Sequence, residues 1–249
     1  MRILVFQHVA SEHPGSFRDV MAMRGCAMRQ VELDQGEVIP PLDDFDILLV
    51  MGGPMDVWEE ERFPWLRAEK AAIRDWVKAG RPYLGMCLGH QLLADALGGK
   101  VALMTAPPEV GMDRVRLLLP DPLFEGISDS CICFHWHAAE VVSPPAGARL
   151  LATGDGCGIQ AFGIGQNAYG LQFHLELTES TAAEWGALPE YAAALQRVKG
   201  PGAMPALQAA VNAGIVELKS AAYRIFGNFL DIAEAGLRRG TGVPGGKAI

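Results

Sequence analysis

An α/β fold, with an open, mainly parallel sheet covered by helices on both faces and a helical extension at its C-terminal end, is predicted by two features of the 249-residue sequence. Short runs of apolar residues alternate with helical periodicities through the first part of the chain, and beyond residue 180 the strand pattern gives way to alanine-rich helix. A strand that is apolar at every position is buried on both faces, which fits parallel strands joined by crossover helices.

The elements follow in order. Ile3 to Phe6 reads as a strand, Phe17 to Met23 as a helix, Ile47 to Met51 as a second strand, and Trp65 to Lys78 as a helix stopped at Gly80. Arg81 to Met86 is a short inner strand, after which Leu92, Leu93, Ala96 and Leu97 recur at helical spacing until Gly98-Gly99. Asp113 to Leu119 alternates as a strand and Pro120 to Phe124 turns away from it. Pro144 to Ala148 is a turn, Ala152 to Phe162 returns to strand, and Leu171 and Phe173 alternate with polar positions as a further strand. Beyond residue 180, Ala182 to Val198 and Ala203 to Ala235 are helical, joined by Gly200-Pro201-Gly202, with a break expected near Gly214. Ile215, Leu218, Ala222, Ile225, Phe229 and Ile232 form an apolar stripe that would pack on the domain, or on a second copy in a homodimer. Arg238 to Ile249 is glycine-rich and expected to fray. Residues 1–180 are thus read as the main domain and 181–249 as a helical extension packed on it.

Composition fits a compact globular protein. With 50% hydrophobic residues the chain can bury a full core, and its formal net charge of −8 argues against non-specific nucleic-acid binding, which relies on basic surfaces. Met1 to Phe6 is a strand rather than a signal peptide, and no apolar run approaches the roughly 20 residues that span a bilayer. Five cysteines, odd in number and unevenly placed, point to a reducing, cytoplasmic setting.

The chemistry concentrates at Gly85-Met86-Cys87-Leu88-Gly89-His90-Gln91, where one cysteine stands in a glycine-flanked turn between strand and helix. Such an elbow presents a nucleophile at the top of a sheet, and a helix N-terminus favours the thiolate. A thiol needs a base, and His174 is the candidate. His174 and Glu176 lie two residues apart after an apolar strand and so share one face, which lets Glu176 orient the ring while His174 takes and returns the Cys87 proton. His135 and His137 are also spaced two apart on a strand pattern, with Cys131 and Cys133 before them. No second well-spaced cluster completes four ligands, so no metal and no cofactor is assigned.

The pattern Gly85 to Gln91, followed by Gly170-Leu171-Gln172-Phe173-His174-Leu175-Glu176, resembles the class I glutamine amidotransferase domain, particularly stand-alone proteins similar to the glutaminase part of GMP synthase. Leu48-Leu49-Val50-Met51-Gly52-Gly53-Pro54 resembles the family's strand and glycine loop. The resemblance covers roughly residues 1 to 180. It implies a flavodoxin-like sheet and an oxyanion hole formed by the Gly53 and Leu88 N–H groups. It also implies that Gln91 helps bind the glutamate-like end of the substrate and that Pro107 to Gly111 is a positioning loop, contact of Glu109 with substrate being the lesser alternative. The stretch around His135 reads, in place of a metal site, as a strand edge or cleft wall with His135 or Trp136 near the bound substrate. Two departures stand out. Leu175 replaces the usual proline between histidine and glutamate, and Ala138-Ala139 replace a glycine and an aspartate common in GMP synthase-like relatives.

The activity implied is cleavage of the γ-glutamyl amide of glutamine through a thioester on Cys87, with ammonia passed to a separate synthetase partner. A self-sufficient hydrolase of γ-glutamyl peptides or amides is the alternative, and a non-catalytic binding protein on the same fold is a third.

Overall fold

The computed structural model describes residues 1–240, so the expected tail over 241–249 lies outside the described residues. The strands are β1 Arg2–Gln7, β2 Ala27–Glu32, β3 Ile47–Val50, β4 Tyr83–Met86, β5 Lys100–Leu103, β6 Glu109–Leu117, β7 Ser130–His137, β8 Ala139–Ser143, β9 Arg149–Thr153, β10 Ala161–Ile164 and β11 Ala168–Leu171. The α-helices are α1 Phe17–Met23, α2 Trp65–Lys78, α3 Leu88–Ala96, α4 Thr181–Gly186, α5 Pro189–Lys199 and α6 Met204–Gly240.

Nine strands form one mixed sheet in the order β2-β1-β3-β4-β11-β10-β9-β6-β7, while β5 and β8 pair separately. The run from β2 to β11 is parallel, and the remaining strands extend it antiparallel. The reason is in the connections. β1, β3 and β4 are separated by segments long enough for crossovers, whereas β10 and β11 are joined by only Gly165 to Asn167, which permits an antiparallel return alone. The parallel strands β3 and β4 are buried at every position, as their unbroken apolar runs require. One buried cluster packs on each face of the sheet. One is built around α2, α3 and residues such as Leu48, Trp76 and Leu92, the other around α1, α6 and residues such as Leu49, Phe134 and Phe226.

The structure amends several sequence expectations. β2 carries the mixed run Ala27-Met28-Arg29-Gln30, which is mostly exposed because the strand lies at the sheet edge, so hydrophobic pattern does not reveal it. The single strand expected over Ala152 to Phe162 is two, β9 and β10, because Gly154 to Gln160 forms a loop between them. Ala182 to Val198 is likewise two helices, separated where Pro189 takes the first position of α5. No break occurs at Gly214, and α6 runs through it. That glycine serves close packing instead, since a Cβ there would stand 2.8 Å from the Met112 side chain. The apolar stripe of α6 lies on the chain's own sheet. Leu218, Ala222, Ile225 and Phe229 are buried against Phe17, Tyr169 and their neighbours, with the Phe17 and Phe226 rings stacked at 4.4 Å. All five cysteines are free thiols. No described helix is long and apolar enough to cross a membrane.

Candidate active site

Three loops meet at the C-terminal ends of the parallel strands, where open α/β sheets place their ligands. Gly52 and Gly53 follow β3, Cys87 follows β4, and His174 lies three residues beyond β11.

Cys87 has φ of 49°, the one positive value at a non-glycine position among the described residues. A side chain held there is strained, and the strain is sustained by what surrounds it. The Cys87 N–H donates to Leu171 O at 2.8 Å, and the Gly89 N–H to Met51 O at 3.2 Å, so the elbow is tied to both neighbouring strands. The glycines around it are required by contact rather than by φ. A Cβ on Gly85 would come within 2.5 Å of the Gly89 carbonyl group, and one on Gly89 within 2.3 Å of Val50 O.

His174 is held from both sides. Its backbone exchanges two hydrogen bonds with Phe134 on β7, at 2.8 and 3.0 Å, and its Nδ1 lies 2.7 Å from Glu176 Oε1. The other Glu176 oxygen accepts from the Leu175 N–H at 2.9 Å, which any residue but proline supplies. Leu175 therefore adds a fixed point to the carboxylate. Trp185, from α4, packs edge-on against the imidazole at 4.5 Å. His174 Nε2 is buried and has no hydrogen-bond partner. Burial alone would disfavour the imidazolium, but the Glu176 carboxylate and then the Cys87 sulfur outweigh it and hold the ring well above its ordinary value.

A pocket of about 420 Å³ opens beside the thiol, with Gly53, Met55, Cys87, Gln91, Trp136, His137, Ala139 and, from α5, Tyr191, Ala194 and Arg197 in its wall. Gln91 and Trp136 both lie in this wall. The Gln91 amide nitrogen is committed internally, to Ala139 O and Gln172 Oε1, both at 3.1 Å, and Gln172 Nε2 in turn lies 3.6 Å from Cys87 Sγ. His135 is elsewhere. It lines a separate cavity of about 180 Å³ with Glu109, Asp113 and Asp155.

Three neighbours of the site are not found by sequence reasoning. Gln172 carries a readable signal, because it shares the two-residue period of His174 and Glu176. His8 does not. Its Nδ1 donates to Gly52 O at 2.7 Å while its Nε2 lies 2.9 Å from Glu69 Oε1. Because a trans peptide points its C=O and N–H in opposite directions, a fixed Gly52 carbonyl fixes the Gly53 N–H on the other side. Glu12 is the third, fully buried. Its carboxylate accepts from the Tyr191 hydroxyl, and one of its oxygens, one Glu176 oxygen and a His174 ring nitrogen lie within 4.8 Å of one another. Burial, the largest effect, pushes Glu12 up to about 7 even though His174 and the Tyr191 hydrogen bond pull it down. Gly52 is needed here too, since a Cβ would stand 2.5 Å from Glu12 Oε2 and 3.0 Å from His174 Cε1.

Comparison with known proteins gives the family. Residues 16–185 match the family model for class I glutamine amidotransferases. The chain is 38% identical over 137 residues to a subunit of the glutamine-hydrolyzing GMP synthase of Sulfurisphaera tokodaii, spanning 55% of this chain and 70% of that protein. It is 33% identical over 161 residues to the corresponding GMP synthase subunit of Sulfolobus acidocaldarius, spanning 64% and 81%. Among solved structures, a glutamine amidotransferase from Thermotoga maritima superposes with a TM-score of 0.84 at 27% identity, covering 93% of this chain and 98% of that one. One from Methylobacillus flagellatus does so with 0.81 at 29%, covering 93% and 94%. With the match running through the glycine loop, the cysteine elbow and the histidine strand, the chain belongs to the class I glutamine amidotransferase family.

Proposed function

We propose that the chain hydrolyses the γ-glutamyl amide of glutamine, with Cys87, His174 and Glu176 as the catalytic triad. The observation that carries this reading is the His174 ring, whose Nδ1 is held by Glu176 at 2.7 Å while Nε2 is left unpartnered and the Cys87 sulfur acts on the ring. His174 takes the thiol proton as Cys87 Sγ bonds to the amide carbon. The C–N bond then breaks, ammonia leaves with the proton returned by His174, and a γ-glutamyl thioester remains. Water, deprotonated by His174, attacks the thioester, and glutamate and the free thiol result. The Gly53 and Leu88 N–H groups serve the oxyanion in both steps, where one such donor is worth about 3 kcal/mol. Gln91 and Trp136, in the pocket wall, bound the space for the glutamyl end.

Two of the similar proteins are named as subunits of GMP synthase, and by analogy with them the ammonia would pass to a separate synthetase. A second reading is favoured by α5, which supplies Glu190, Tyr191, Ala193, Ala194 and Arg197 to the wall of the nucleophile pocket. A chain that completes its own pocket is suited to act alone on γ-glutamyl peptides or amides. Purified protein, beside Cys87→Ala, is to be incubated with L-glutamine and a panel of γ-glutamyl peptides, measuring glutamate and released amine. Cys87-dependent turnover of glutamine at a low rate, raised by a synthetase, supports the first reading, and fast turnover of particular conjugates supports the second. Full activity in Cys87→Ala would refute the thioester mechanism, and no turnover under either condition would leave a binding role.

A further inference from the structure

Glu109 on β6 and His135 and His137 on β7 converge next to the nucleophile pocket, whose wall includes His137 but neither Glu109 nor His135. The antiparallel register sets Glu109 opposite His137 and Gly111 opposite His135, and the two-residue spacing puts both rings on one face, 5.5 Å apart edge to face. Glu109 Oε2 is 2.9 Å from His137 Nε2 and 3.6 Å from His135 Nδ1, and one ligand atom from each residue lies within 4.8 Å of the others.

The protons decide what this cluster requires. His137 Nδ1 is 3.0 Å from Ala139 O, and because a carbonyl only accepts, Nδ1 carries a hydrogen. In the neutral ring Nε2 then aims a lone pair at Glu109 Oε2, an oxygen that already accepts from Gln160 Nε2 at 2.7 Å. Acceptor faces acceptor, which needs either a proton between them, on His137 or on Glu109, or a cation. A proton would settle that contact alone. It would leave His135 Nδ1, buried and aimed at the same carboxylate, with no hydrogen-bond partner, whereas a cation satisfies all three groups at once.

We propose that Glu109, His135 and His137 form a binding site for a divalent transition-metal cation of the zinc class. Two imidazoles and a carboxylate are a donor set for such ions, and the adjoining cavity, walled by Asp113, Arg114, Arg116, Thr153 and Asp155, with Arg114 paired to Glu217, leaves a further coordination position open. Both rings are oriented from behind as metal-bound imidazoles are, His137 by Ala139 O and His135 by the Cys133 sulfur, 3.2 Å from its Nε2. The ligand completing the histidine pair is thus Glu109, from the facing strand, in place of the Cys131 and Cys133 that adjoin the pair in sequence. Cys133 lies behind the ring, and burial raises its thiol well above the ordinary range.

Cobalt(II) titration of the Cys87→Ala protein, in which the pocket thiol cannot compete, tests the site. The expected result is one equivalent bound, with visible d–d absorption but no thiolate-to-cobalt charge-transfer band, displaced by zinc. Affinity should fall at least tenfold in Glu109→Gln and in His137→Gln, and zinc should raise the unfolding temperature of the parent but of neither variant. His135→Asn replaces either variant that does not fold, because His135 Nδ1 has no protein partner to lose. Absence of cobalt and zinc binding by the parent, undiminished binding in the variants, or a charge-transfer band reporting thiolate ligation would each overturn the proposal.

Discussion

Replacing Glu12 by glutamine should stabilise the protein, and only above a defined pH. Burial raises the Glu12 carboxyl from an ordinary 4.5 to about 7, so the folded chain binds this proton more tightly than the unfolded one. Stability therefore falls as pH rises from about 4.5 through about 7, and the full penalty is present above that. At about 1.4 kcal/mol per pH unit, the window is worth about 3 kcal/mol. Glutamine keeps an oxygen for the Tyr191 hydroxyl, which donates to Glu12 Oε1, and removes the charge. His174, whose own value is raised, also loses stabilisation as pH increases past 6.5, so the useful quantity is the difference between variant and parent. Urea unfolding at pH 4.5, 6, 7 and 8, followed by tryptophan fluorescence, should show that difference growing by about 3 kcal/mol in favour of Glu12→Gln, equivalent to roughly 6 to 12 °C in Tm for a chain of this size. Parallel pH curves for the two proteins would refute the assignment of the penalty to this carboxylate.

In steady-state assays on whichever γ-glutamyl amide is turned over, His174→Ala should lose at least about a thousandfold in kcat, while Glu176→Gln retains tens of times more, because orientation is impaired but the base remains; equal losses would contradict that division of roles. His8→Leu frees the Gly52 carbonyl that His8 Nδ1 holds at 2.7 Å. It should lower kcat between about tenfold and about a hundredfold with KM nearly unchanged, and a change confined to KM would remove His8 from oxyanion positioning. Gly85→Ala drives a Cβ to within 2.5 Å of the Gly89 backbone, so it should cost about 3 kcal/mol in chemical denaturation and displace the nucleophile. An unchanged midpoint with full activity would show that the elbow yields more readily than its packing indicates.

How much can be read before folding depends on whether a feature is local. The apolar runs of β1, β3 and β4, the helical periodicity of α1 and α2, and the glycine spacing around Cys87 are properties of contiguous residues, and each produces the element expected of it. Motif order likewise brings Gly53, Cys87 and His174 to the same end of the parallel strands, because in a parallel sheet all strand ends of one kind fall together. Edge strand β2 is invisible to the pattern because an edge has no apolar requirement on its exposed positions.

The sequence by itself determined the parallel core and the elbow, which follow from the periodicity and glycine spacing of contiguous residues, whereas the strand expected through Phe173 ends at Leu171, and His174 is held beyond it by a single bridge to Phe134. Tertiary structure alone decided what surrounds them. Glu12 reaches His174 across a sequence separation that no periodicity spans, His8 and Glu69 lock the glycine loop from two different elements, and Gly214 is fixed by Met112 on the opposing strand rather than by its own helix. His135 is placed by its strand's face in a cavity apart from Cys87, and Glu109 joins it only because two antiparallel strands share a register. Contacts of that kind depend on strand order and layer packing, which are set by burial of the whole chain at once.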